Sequence, residues 1–218
     1  MKHTWVRRRL IVLGEWFFRQ RSWTPIPFIL ILVLVFWHQS KNYLATWGLG
    51  LLLLILGEGL RLWGVAVIGK ESRTRGSGVK QLVDDGPYAY VRNPLYLGNL
   101  LLTLGATCIS KLLWMLPIVL ILYAVQYVPI VLWEEEILTE QLGQLYADYC
   151  KRVARWWPRW QATAKSAPAY QWRAAFWSER STLGTLVLLL VIMVAKENFD
   201  HLQQHFHRSP PLHNLSTR

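Results

Sequence analysis

LLWMLPIVLILYAVQYVPIVLW runs from Leu112 to Trp133 without one charged residue, and Glu134, Glu135 and Glu136 follow it directly. A helix of roughly 20 apolar residues crosses the hydrocarbon layer of a bilayer, so this run is long enough to span one. Tyr43 to Ile68 is a second run of that length, interrupted only by Glu58 and Arg61. Thr24 to Gln39, Leu95 to Ser110 and Thr182 to Ala195 are shorter and nearly uncharged. Together they predict an all-α, polytopic integral membrane protein with about five transmembrane helices plus interfacial helices. The 13 tryptophans agree with that reading. Trp23, Trp37, Trp47, Trp63, Trp114, Trp133, Trp156 and Trp157 stand near the ends of the runs, where an indole is half in lipid and half in water.

The basic residues fall mainly on one side of these spans. Lys2, Arg7, Arg8, Arg9, Arg19 and Arg21 precede the first run, and Lys70, Arg73, Arg75, Lys80 and Arg92 separate the second from the third. Seven more lie between Lys151 and Arg180, against Lys41, Lys111, Lys196, Arg208 and Arg218 on the other side. Lysine and arginine are retained in the cytoplasm, so the N-terminus is expected inside and the C-terminus on the opposite side. The net charge of +11 then reflects orientation and anionic lipid rather than nucleic acid, which is excluded as a partner. Cys108 and Cys150 fall at different levels of the bilayer, so neither a disulfide nor a metal site is implied. His201, His205 and His207 have helical spacing but no fourth ligand, and read as solvated. Residues 1–22 form an expected cytoplasmic interfacial helix with Val6, Leu10, Leu13 and Phe17 on one face. Glu15 interrupts the apolar run there, and no small-residue cleavage site follows. The membrane core is expected over 23–175, and the fifth span with an outer tail over 176–218.

Two polar clusters lie at span ends. GPYAYVRNPLYLG, from Gly86 to Gly98, leads into the third span, with Pro94 at its first helical position and Asn93 as a potential cap. The turn near Ser110 and Lys111 makes the third and fourth spans antiparallel, which brings this stretch and the three glutamates to the same membrane surface. An ion pair between Arg92 and Glu134 or Glu135 could simply fasten the hairpin. Within the second span, Glu58 and Arg61 are one helical turn apart. A charge at a helix centre costs roughly 2.5 to 3.5 kcal/mol on insertion scales, so either they pair or they face a polar cleft.

GPYAYVRNPLYLGN resembles the motif of integral-membrane methyltransferases related to isoprenylcysteine carboxyl methyltransferase and the phospholipid methyltransferases. The family pattern continues here as Glu134, Glu135, Leu138, Gly143, Tyr146, Tyr149, Arg155 and Pro158, so the resemblance covers roughly Arg61 to Pro158. It implies an S-adenosylmethionine-dependent enzyme whose cofactor lies in a cytoplasm-facing pocket. By the same resemblance Tyr88, Tyr90, Arg92, Asn93, Pro94, Tyr96 and Gly98 would bind the cofactor, together with Glu134 and Glu135. Many relatives carry histidine at the position of Asn93, so a titrating imidazole is not available at that point. The implied acceptor is lipophilic, a prenylcysteine-like carboxylate or a phospholipid amine, reached through membrane lipids. Arg61 or Arg155 would orient a carboxylate, and a glutamate such as Glu135 would take the proton of an amine. An NADPH-dependent membrane reductase of the sterol type is a rival, with Arg73, Arg75 and Lys80 suited to the 2′-phosphate. A noncatalytic membrane scaffold is a third reading.

Overall fold

The computed structural model describes residues 2–68, 82–159 and 170–208. Lys70, Arg73, Arg75, Lys80 and the side chains of Val6, His201, His205 and His207 lie outside that description. Among the described residues there are seven α-helices and no β-strand: α1 Lys2–Gln20, α2 Pro25–Leu34, α3 Tyr43–Ile68, α4 Pro94–Ile109, α5 Leu116–Leu142, α6 Gln144–Arg152 and α7 Trp172–Arg208. Three stretches are long and apolar enough to cross a membrane, namely Tyr43–Ile68, Leu113–Leu142 and Trp172–Phe199, while α2 and α4 are shorter apolar helices. The chain is an all-α membrane protein, as its apolar runs predict.

α3 and α4 are antiparallel and very close, because glycine meets glycine along their seam. A Cβ on Gly50 would lie 2.8 Å from the carbonyl oxygen of Gly105, and one on Gly57 would lie 2.9 Å from that of Gly98. Small residues let backbones approach where lipid gives helices little hydrophobic reason to associate. α4 therefore leans on α3 over its length and meets α5 across a smaller surface, partly through the rings of Tyr96 and Tyr127 at 5.1 Å. That separation leaves room inside the bundle.

At one end of the bundle the chain reverses at Ser110 and Lys111, the latter at φ +64°. Lys111 accepts a hydrogen bond at its carbonyl from the Ser40 N–H (2.9 Å) and pairs with Glu197 of α7 (2.7 Å), so two turns and α7 are tied together at this end. A core of Leu32, Leu54, Ile109, Leu112, Val119 and Met193 lies beside them.

The first crossing is not a single helix, contrary to the run Thr24–Gln39. α2 has ten residues, about 15 Å, too few for a bilayer. Its last carbonyls are capped by Lys196 of α7, whose Nζ donates to Leu32 O (2.7 Å) and Val35 O (2.6 Å). α1 extends the path on the other side of a turn at 21–24 and runs antiparallel along α5, from Arg7 against Glu136 to Gly14 against Pro129. The face it packs is Gly14, Phe17 and Phe18; Leu13, expected on that face, points outward with Val12 and Trp16. Gly14 sets this rotation, because only a residue without Cβ fits beside the Pro129 carbonyl.

The fifth span also differs from its sequence outline. α7 begins at Trp172, ten residues before Thr182, and its start docks on the end of α3: the Gln171 N–H donates to Ala66 O (2.8 Å), and Ala175 is fully buried beside Val65 and Ala66. The apolar run missed this first stretch because it contains Arg173, Glu179 and Arg180, and Glu179 is tolerated only because a partner meets it inside the bundle.

Candidate functional site

The motif stretch and the segment after α5 fold into one packed corner. Gly86, at φ +57° with Val67 against it, opens a 3₁₀ turn over Gly86–Ala89. Val91 and Ala154 then form a parallel bridge, the Arg92 N–H donates to Ala154 O (2.9 Å), and the Arg159 N–H donates to Tyr90 O (3.0 Å). Tyr149 donates its hydroxyl to Tyr88 O (2.9 Å). Burial pushes the Tyr146 and Tyr149 hydroxyls above the ordinary tyrosine range, so both remain donors. Gly143, at φ +53°, turns α5 into α6 so that these tyrosines reach back. Leu138 and Leu142 belong to the last turns of α5, and Leu145 is exposed.

Glu135 sits at the centre of the corner. Its carboxylate accepts from Arg155 through Nε (2.9 Å) and the terminal nitrogen (2.6 Å), a two-pronged pair, and lies 3.0 Å from Arg92. That hydrogen bonding to Glu135 pushes the Arg155 guanidinium above its ordinary value. Arg92 also donates to Cys150 Sγ (2.8 Å). Asn93 does not cap α4 with its side chain; it donates through Nδ2 to Arg155 O (3.1 Å). Tyr88, Asn93 and Pro94 are buried in this packing, and Tyr90 lies beside the Trp63 ring at 6.0 Å.

Behind the corner, toward the middle of the bundle, lies a cavity of about 570 Å³. Tyr96, Glu134 and Arg61 line it, so these three of the sequence-derived residues share one space, while the rest except Gly98 form the corner. Its polar end adds Asn99, Tyr127 and Glu179, and its walls are α2 and α7 through Phe28, Ile29, Thr185, Leu186 and Leu189. Arg61 donates to Asn99 Oδ1 and to Glu179 Oε2, and its Nε lies 3.7 Å from Glu58. Thr182 also donates to Glu179 (2.9 Å), and Asn99 donates to the Tyr127 hydroxyl (3.3 Å). The expected pair of Glu58 and Arg61 is thus one edge of a larger network. Gly98, expected as a place of ligand approach, is a place of helix approach: a Cβ there would lie 2.6 Å from Arg61 Cγ and 2.8 Å from Gly57 O.

Asn99, Tyr127, Glu179 and Arg21 escaped the sequence reading. Asn99 and Tyr127 were visible as hydrogen-bonding groups inside apolar runs, which are costly unless used. Glu179 stands just before the apolar run that starts at Thr182, and Arg21 among basic residues assigned to orientation. Among the described residues there is no group of three or more His, Cys, Asp or Glu that could hold a metal ion.

Two curated relatives are similar to the chain over much of their length. The cobalt-zinc-cadmium resistance protein CzcN of Cupriavidus metallidurans is 26% identical over 82% of this chain and 80% of its own. The nickel-cobalt-cadmium resistance protein NccN of Alcaligenes xylosoxydans xylosoxydans is 24% identical over 63% of each. No solved structure gives a significant match. Residues 45–145, which hold most of α3, the motif corner, α4 and α5, match the phospholipid methyltransferase family, the family of isoprenylcysteine carboxyl methyltransferase-like membrane methyltransferases.

Proposed function

We propose that the chain is an S-adenosylmethionine-dependent methyltransferase acting on a lipophilic acceptor. The observation that carries this reading is the cavity behind the motif corner, which joins a carboxylate, an amide and a phenol to an apolar wall. Its volume is within the range of small-molecule sites. The donor set suits the cofactor: Glu134 complements a sulfonium or ammonium, while Asn99 and Tyr127 can bond its polar edges. S-adenosylmethionine, when bound, supplies an electrophilic methyl group on a sulfonium sulfur.

The chain's own part is alignment and exclusion of water. Holding two reactants near attack geometry contributes about 7 to 11 kcal/mol in favourable cases. Glu135, Arg92 and Arg155 act here as positioning residues, since every prong of the Glu135 carboxylate is engaged in tying α5 to the motif. Arg61, fixed by Asn99 and Glu179, holds the polar end of the cavity in one arrangement. The acceptor enters between α2 and α7, whose apolar side chains form the wall. The distribution of basic residues supports an orientation with this end of the bundle toward the cytoplasm, the N-terminus inside and the C-terminus outside. The metal resistance in the relatives' names would follow, in this reading, from methylation of a membrane component.

Purified full-length protein titrated with S-adenosylmethionine in a calorimeter should bind it, and membranes given methyl-labelled cofactor should place label in the lipid extract only when the chain is present. A thermal shift with NADPH and none with S-adenosylmethionine would replace this reading with the reductase.

A further inference from the structure

Of the two guanidinium groups in the cavity, that of Arg61 is paired and, among the described residues, that of Arg21 is not. Arg21 lines the cavity, and its guanidinium stacks 3.6 Å from the centroid of the Phe18 ring. Among the described residues the Arg21 side chain has no hydrogen bond or ion pair, whereas that of Arg61 is taken by Glu179 and Asn99. The backbone there is equally unusual. α1 stops at Gln20 and α2 starts at Pro25, and Thr24 of the break accepts a hydrogen bond from Gln126 Nε2 (2.8 Å). Gln126 lies seven residues before Trp133, about 10 Å along α5, so the break is at membrane depth. Non-helical backbone at that depth is tolerated where it lines a cavity or is covered by protein.

From this we infer that Arg21 is the acceptor-recognition residue: it binds the anionic head of an amphiphile, carboxylate or phosphate, whose chain lies along the Phe28, Ile29 and Leu186 wall. The inference rests on the methyltransferase reading for its purpose, and it decides between acids and amines as acceptor. An arginine stacked on an aromatic ring keeps its forked donors free and its plane fixed, which suits an oxyanion. An ammonium head would meet this cation, with Glu179 already engaged by Arg61 and Thr182 and Glu134 given to the cofactor in the proposed reading.

Full-length protein in neutral maltoside detergent is titrated with twelve-carbon amphiphiles bearing carboxylate, phosphate, hydroxyl or ammonium heads, and with inorganic phosphate, using tryptophan fluorescence as the readout. At least one anionic amphiphile should bind about tenfold or more tighter than the alcohol, and inorganic phosphate should not compete. Arg21→Gln should erase that preference with binding of the alcohol unchanged, and Arg21→Lys should keep the anion ahead of the alcohol. Equal binding of all heads, tightest binding of the ammonium, competition by inorganic phosphate, or an unchanged preference in Arg21→Gln would overturn the inference. If Arg21→Gln does not fold, the wild-type selectivity and the Arg21→Lys variant decide. S-adenosylmethionine binding measured on the same samples separates the two ideas: its absence alongside Arg21-dependent anion selectivity refutes methyl transfer and keeps the anion site.

Discussion

Glu134, Glu135 and Glu136 are adjacent in the chain and face three different partners. Each helical residue turns about 100° from the last, so Glu134 faces the cavity, Glu135 the two arginines, and Glu136 the Arg7 guanidinium at 2.6 Å. Equal sequence context therefore yields unequal roles. Glu135→Gln leaves Arg92 and Arg155 beside a neutral amide, and loss of one partner from a buried pair costs about 3 to 5 kcal/mol. Its melting temperature should fall well below wild type. Glu134→Gln should melt much closer to wild type yet lose at least tenfold in S-adenosylmethionine affinity, read by calorimetry. If both variants lose stability equally and bind the cofactor equally, the separation of roles is wrong.

At the scale of elements, contact is controlled by which glycines face a neighbour. Gly14 fits against the Pro129 carbonyl, where an added Cβ would come within 2.1 Å of the oxygen, while Gly59 has nothing within 4 Å. Gly14→Val should lift α1 from α5 and cost about 1 to 3 kcal/mol or more, as overpacking does. Gly59→Ala should be neutral or stabilise by up to about 1 kcal/mol through helix propensity. Chemical or thermal unfolding in one detergent compares them directly. The same logic explains the helix ends: α2 can be short because Lys196 satisfies its last carbonyls. Lys196→Met should therefore destabilise the protein, measured in the same way, with the loss coming from two orphaned carbonyls in an apolar setting.

At the scale of the whole molecule, α7 is part of the cavity and not merely a seal around it. Glu179 fixes Arg61 from a helix that starts on the far side of an undescribed stretch, so residues 118 positions apart share one network. Glu179→Gln should lower methyl transfer at least tenfold while S-adenosylmethionine still binds, and a chain ended before Trp172 should show no transfer. The orientation is open to a direct measurement as well. Single cysteines placed at Ser40 and at Asp148, in a background lacking Cys108 and Cys150, should label from outside and inside the cell respectively.

The number and order of apolar segments, the basic asymmetry and the motif corner could all be read from the sequence alone. Each depends on local composition or on the bilayer, whose fixed thickness makes a run of apolar residues a crossing and brings Arg92 beside Glu135 without knowledge of anything else. The rotation of α1, the break at Arg21, the early start of α7 and the cavity they enclose were decided only by tertiary structure. Those features depend on which face of one helix meets which face of another. A glycine seam, a capping lysine and a buried glutamate settle that choice through packing and charge between residues far apart in the chain.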